Sequence, residues 1–64
     1  MISIEKMWEC EGKHLKIIFT DGEIWHNKYC NCYLRPEEDD EEPMLELGNI
    51  LVNQSEIKSI EIID

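Results

Sequence analysis

Six consecutive acids, Glu37, Glu38, Asp39, Asp40, Glu41 and Glu42, stand between Pro36 and Pro43. Like charges in a row repel one another, and the flanking prolines block continuation of a helix or a sheet ladder. No regular element can cross this stretch, so residues 35–43 read as a solvated loop and every strand or helix must end on one side of it. The chain has 64 residues, enough for a single domain spanning 1–64. A domain of this size buries only about 60% of the surface its unfolded chain exposes. Such marginal burial favours assembly into a homo-oligomer.

The charge is concentrated in that loop. The sequence holds 15 Asp and Glu against 6 Lys and Arg, a net charge of -9. Setting the six loop acids aside leaves a nearly balanced body. The overall balance argues against a surface that tracks nucleic-acid phosphates, which carries a basic stripe. No apolar run approaches the roughly 18 residues of a membrane span, and Met1–Glu5 is not a signal peptide, so the expected location is the cytoplasm. Hydrophobic residues make up 42% of the chain, too many for a disordered segment of this charge.

Period-two alternation dominates the rest. Ile2, Ile4, Trp8 and Cys10 share one parity and predict a first strand over 2–10. Glu11-Gly12-Lys13 is a turn. Leu15, Ile17 and Phe19 alternate with Lys16, Ile18 and Thr20, the pattern of a half-buried strand. Asp21-Gly22 signals a hairpin, and Glu23–Leu34, without Gly or Pro, predicts a long, bent strand. Beyond the loop, Met44–Leu47 and Ile50–Asn53 flank a second hairpin at Gly48-Asn49. Gln54-Ser55-Glu56 reads as a short turn. A last strand over 57–64 places Ile60 and Ile62 on one face and Ile57 and Ile63 on the other. No stretch keeps a helical period. The expected fold is all-β, a small antiparallel barrel of five or six strands.

The segment Leu15-Lys16-Ile17-Ile18-Phe19-Thr20-Asp21-Gly22-Glu23-Ile24-Trp25 is followed by a long bent strand and an acidic loop. Together with Ser55-Glu56-Ile57-Lys58-Ser59-Ile60-Glu61-Ile62, it resembles the small Sm-like (SH3-type) barrel proteins of Firmicutes and their phages. The resemblance covers residues 13–64 and implies oligomerisation by strand addition, with RNA binding in many members. The basic, Asn-centred RNA-binding loops of that family are missing here, so RNA binding ranks last among the readings. Size and charge also resemble phage-encoded inhibitors of bacterial defence, some of which trap nucleotide signals while others block proteins.

Alternation along the long strand sorts its side chains. One set is Ile24, His26, Lys28, Cys30, Cys32 and Leu34; the other is Trp25, Asn27, Tyr29, Asn31, Tyr33 and Arg35. A bulge partway would exchange the two faces. Aromatics interleaved with amides suit a nucleotide base, so Trp25, Tyr29, Asn31 and Tyr33 are candidates for stacking and hydrogen bonding. Arg35, Lys28 or His26 would meet its phosphate. Against this stands core packing, which claims strand aromatics as often. Cys30 and Cys32 with His26 and Cys10 or His14 form a weaker zinc candidate, since zinc cysteines usually sit on turns. No cofactor is expected.

No glycine-rich phosphate loop, nucleophile elbow or apolar carboxylate pair is present, so the chain reads as a non-enzymatic binding protein. Two functions follow, both as a phage-type inhibitor of bacterial defence or its like, and the first is preferred. One is sequestration of a small nucleotide-like signal in a pocket between protomers, through the long strand. The other is a protein–protein inhibitor or adaptor whose 37–42 loop imitates a phosphate backbone and fills a partner's basic groove.

Overall fold

A computed structural model describes residues 1–64. The elements are α1 (Ile4–Cys10), β1 (His14–Phe19), β2 (Ile24–Tyr29), β3 (Cys32–Leu34), β4 (Met44–Leu47), β5 (Ile50–Asn53), a 3₁₀ turn (Gln54–Glu56) and β6 (Ile57–Ile62). The fold is mostly β, in two antiparallel three-stranded sheets of order β2-β1-β6 and β3-β4-β5. No helix is long and apolar enough to cross a membrane.

Residues 2–10 form a helix instead of the expected strand. Ser3 caps it, its hydroxyl accepting the Lys6 N–H at 3.1 Å, and Glu5 lies in the first turn, where the helix dipole favours an acid. Past Ile4 there is no β-branched residue to oppose a helix. Gly12, at φ 78°, takes the left-handed conformation that ends the helix. The helical period buries Met7 and Cys10, three residues apart, and leaves Ile4 and Trp8 exposed. Period two pointed to the wrong inward set.

β1 follows its pattern, with Leu15, Ile17 and Phe19 buried between the sheets. From the second sheet Leu45, Leu47 and Val52 meet them, and Met7 and Cys10 join the same core. At β6 the register slips, Ile18 pairing with Ser59 and Phe19 with Ile57. That bulge at Lys58 turns Ile57 to the side of Ile60, and both are buried. The expected opposition of these two isoleucines is therefore undone. Gly48-Asn49 makes the expected two-residue hairpin, with Leu47 opposite Ile50 and Gly48 at φ 67°.

The sheets are joined at two corners. At the first, the long strand breaks between β2 and β3. The Cys30 N–H donates to Lys13 O and the Gly12 N–H to Cys30 O, both at 2.9 Å, while the Asn31 N–H donates to Glu46 O at 2.8 Å. Cys30 thus completes the first sheet's edge and the next residue opens the second sheet. The 3₁₀ turn makes the other corner between β5 and β6. The two strands do not pair with each other, so the ladder is open there and no closed barrel forms.

A bulge also interrupts β2. Leu15 pairs with Lys28 but Ile17 with Trp25, so His26 and Asn27 together oppose Lys16. Asn27 adopts φ 51°, a region that Asn tolerates better than other non-glycine residues. Asn27→Gly should be neutral or mildly stabilising, and Asn27→Val should cost about 1–2 kcal/mol. Urea unfolding at constant m checks this as a shift in midpoint.

Candidate functional site

The β2 bulge and the Cys30-Asn31 corner rearrange the faces read from alternation. Paired residues share a face, so Trp25, opposite buried Ile17, and Tyr33, opposite buried Leu45, turn toward the core. Tyr29, opposite His14, turns outward. The three aromatics of the expected stacking set therefore do not share a surface.

Most of that set already has partners within the fold. Trp25 packs edge-on to Phe19 at 4.6 Å between ring centroids, and its Nε1 donates to Glu23 at 2.7 Å. Asn31 latches the β4–β5 turn: its Oδ1 accepts the Gly48 N–H at 3.3 Å, and its Nδ2 faces Gly48 O and Glu46 Oε1 at 3.4 Å. Tyr33 packs on the core and forms a T-shaped pair with Trp8, 6.2 Å between ring centroids. His26, Lys28, Tyr29 and Arg35 are exposed. Lys28 Nζ lies 5.8 Å from the Trp25 ring centroid, and Tyr29 leans on His14 at 5.2 Å. No cavity opens among these residues in one protomer.

The zinc candidates do not gather either, since no three His, Cys, Asp or Glu side chains are placed to hold a metal. Cys10 and Cys30 are buried as thiols. The Cys10 Sγ donates to Lys6 O at 3.1 Å, and the Cys30 Sγ to Cys32 O at 3.6 Å. Burial pushes Cys10 up to about 11, with Glu9 adding to the rise and Lys6 opposing it. Burial likewise pushes Cys30 up to about 12, reinforced by Cys10, Cys32 and Glu11. At the start of β1, the His14 Nδ1 and an Asp64 carboxylate oxygen stand at hydrogen-bond distance, 2.8 Å. The hydrogen bonds from the His14 side chain and then its backbone N–H hold the Asp64 carboxyl below its usual range.

The acidic loop, in contrast, is folded. The Glu41 N–H donates to Glu38 O at 3.1 Å, closing a turn at Asp39-Asp40. Its far root is tied to the 3₁₀ turn three times. The Gln54 N–H donates to Pro43 O at 2.9 Å, and Glu42 accepts both the Ser55 N–H at 2.7 Å and the Ser55 hydroxyl at 3.0 Å. Glu37 through Glu41 are exposed, and none of the six loop carboxylates pairs with a cation.

The neighbouring Gln54 anchors a different element. Its Nε2 donates to Ile2 O at 2.7 Å, so the start of α1 and the root of the loop meet at consecutive residues. At the other side, α1 packs on β3, and the Tyr33 N–H donates to Glu11 Oε2 at 2.9 Å. The loop leaves from the end of this same β3. The start of the helix and both roots of the loop thus share the partners Gln54 and β3. Sequence reading missed the helical half of this surface, although Ser3 as a cap and Met7 and Cys10 three apart were signals for it.

The chain matches no protein-family model, no curated protein and no solved structure.

The thiols generate a prediction. Unfolded cysteines ionise near pH 9, whereas the folded Cys10 and Cys30 stay protonated to about 11 and about 12. The unfolded state then binds fewer protons, so stability is intact below pH 9 and falls as pH rises through this window. Urea titrations from pH 8 to 11 should show that fall, reduced in Cys10→Ala and Cys30→Ala. An equal slope in both variants contradicts the assignment.

Proposed function

We propose that this chain is a non-enzymatic acidic binding module of Sm-like lineage that inhibits or recruits a protein partner by filling a basic groove with its 37–42 loop. The observation that carries this reading is the loop's construction: a turn of exposed carboxylates, anchored at Glu42 and Pro43 to the 3₁₀ turn, with no cation of its own chain paired to it. A flexible acidic tail would lose entropy on docking, whereas a loop already tied down presents its charges at a lower ordering cost. The Sm-like part of the proposal rests on the sequence resemblance over residues 13–64. A role as an inhibitor of bacterial defence, working in the cytoplasm beside its target, fits the same surface. Blocking a groove needs no chemistry from the inhibitor.

Electrostatic steering makes such an association fast and salt-dependent. Replacing the six acids by Asn and Ser should weaken partner capture from host lysate by at least about tenfold at low salt. Raising the salt should release the partner from the unmodified protein. Equal capture by the two proteins at every salt concentration contradicts the reading.

A second reading is favoured by the open sheet edges. β5 and β6 each have one unpaired side, and Ile50 and Leu51 on β5 are exposed. Strand addition between copies would assemble a homo-oligomer, and the exposed His26, Lys28, Tyr29 and Arg35 would offer a nucleotide-like ligand a site between protomers. Trp25, Asn31 and Tyr33 would support that site from beneath. Native mass spectrometry of protein purified from cells checks it. An oligomer carrying an extra few hundred daltons supports sequestration, and a bare monomer removes the reading. RNA binding ranks below both, given the charge.

A further inference from the structure

We infer that α1 and the acidic loop form one composite docking surface whose occupant is a cationic amphipathic segment of a protein. Ile4 and Trp8 stand one helical turn apart on the same face and are 47% and 63% exposed. Glu5 and Glu9, also one turn apart and exposed, run alongside as a parallel acidic ridge. Trp8 meets Tyr33 in a T-shaped pair, 6.2 Å between ring centroids, and most of its surface stays open to water. An amphipathic ring held by one aromatic neighbour and largely open to water has the character of an interface anchor.

The surroundings of this apolar ridge decide what covers it. The Ile2–Gln54 bond and the Glu42–Ser55 bonds bring the start of the helix and the root of the loop to adjacent residues. The ridge is bordered by Glu5 and Glu9, and the chain enters it from Ile2, whose carbonyl is bonded to Gln54 beside the root of the acidic loop. A second copy of the chain would bring the same acids against these, and like charges set against one another are costly. An anionic membrane surface is disfavoured for the same reason. A helix with apolar residues at i and i+4 and Lys or Arg beside them satisfies both halves of the surface. A bare nucleic-acid-binding groove, basic but without an apolar strip, satisfies only the loop.

This inference rests on the acidic-module reading for the loop's share of binding and on α1 for the rest, and the two separate in one experiment. The probes are a fourteen-residue peptide of Leu and Lys in helical pattern, and an oligolysine of equal charge. Binding to the full chain is followed by fluorescence polarisation of labelled peptide at low salt. The Leu–Lys peptide should bind at least about tenfold tighter than oligolysine, as expected when a buried apolar anchor adds to steering. Ile4→Ala with Trp8→Ala should erase that preference while leaving oligolysine binding intact. Glu5→Gln with Glu9→Gln should weaken the Leu–Lys peptide and, in both cases, circular dichroism should show the native fold, because these side chains are exposed and neither change puts a cation at the start of the helix. Neutralising the loop should weaken both peptides alike. Equal affinities for the two peptides, a preference that survives the Ile4 and Trp8 changes, binding of neither peptide, or stronger binding to anionic vesicles would each overturn the inference. If only the helix changes are without effect, the composite surface fails and the loop reading stands. If only loop neutralisation is without effect, the loop reading fails.

Discussion

The bend at Cys30-Asn31 is the constraint on which the rest of the molecule depends. Two adjacent residues bond to different sheets, Cys30 to Lys13 and Gly12, and Asn31 to Glu46. A chain of this size cannot bury enough surface with one flat sheet. Folding a single long strand over itself gives two inner faces from one run of sequence. Cys30 fills the inside of the bend as a small buried thiol, and the Asn31 amide fixes the neighbouring hairpin through Gly48.

The same bend explains how the sequence misleads about the binding face. Period two is a reliable guide only while the pleat is unbroken, as in β1, where Leu15, Ile17 and Phe19 alternate inward as read. Along residues 24–35 the pleat is broken at His26-Asn27 and again at Cys30-Asn31, and each break exchanges the faces. Trp25 and Tyr33 turn inward, and Tyr29 is left outside. A bulge was legible as a risk in so long a strand. Its position was not, because Asn27 is one of several polar residues there and only its φ distinguishes it.

The N-terminal helix was hidden for a related reason. Ile2, Ile4, Trp8 and Cys10 satisfy an extended parity, while Met7 and Cys10 satisfy a helical one, and seven residues are too few for either period to dominate. The Ser3 cap and the tie from Gln54 to Ile2 decide between them. Once the helix forms, Met7 and Cys10 face the core and Ile4 and Trp8 are left exposed. The acidic loop was legible from its prolines and its charge, but its anchorage was not, since Glu42 and Ser55 are thirteen residues apart and meet only because β4 and β5 form a tight hairpin. The 3₁₀ turn thereby ties the residue before the helix and the root of the acidic loop to adjacent positions, Gln54 and Ser55.

Amide hydrogen exchange resolved by residue tests the central claim most directly. If the bend unites the two sheets into one cooperative unit, the Cys30 and Asn31 amides should exchange only through global opening, with the same free energy as the Ile17 and Leu45 amides at the centre of each sheet. Faster exchange at Cys30 and Asn31, with the second sheet opening independently of the first, contradicts it.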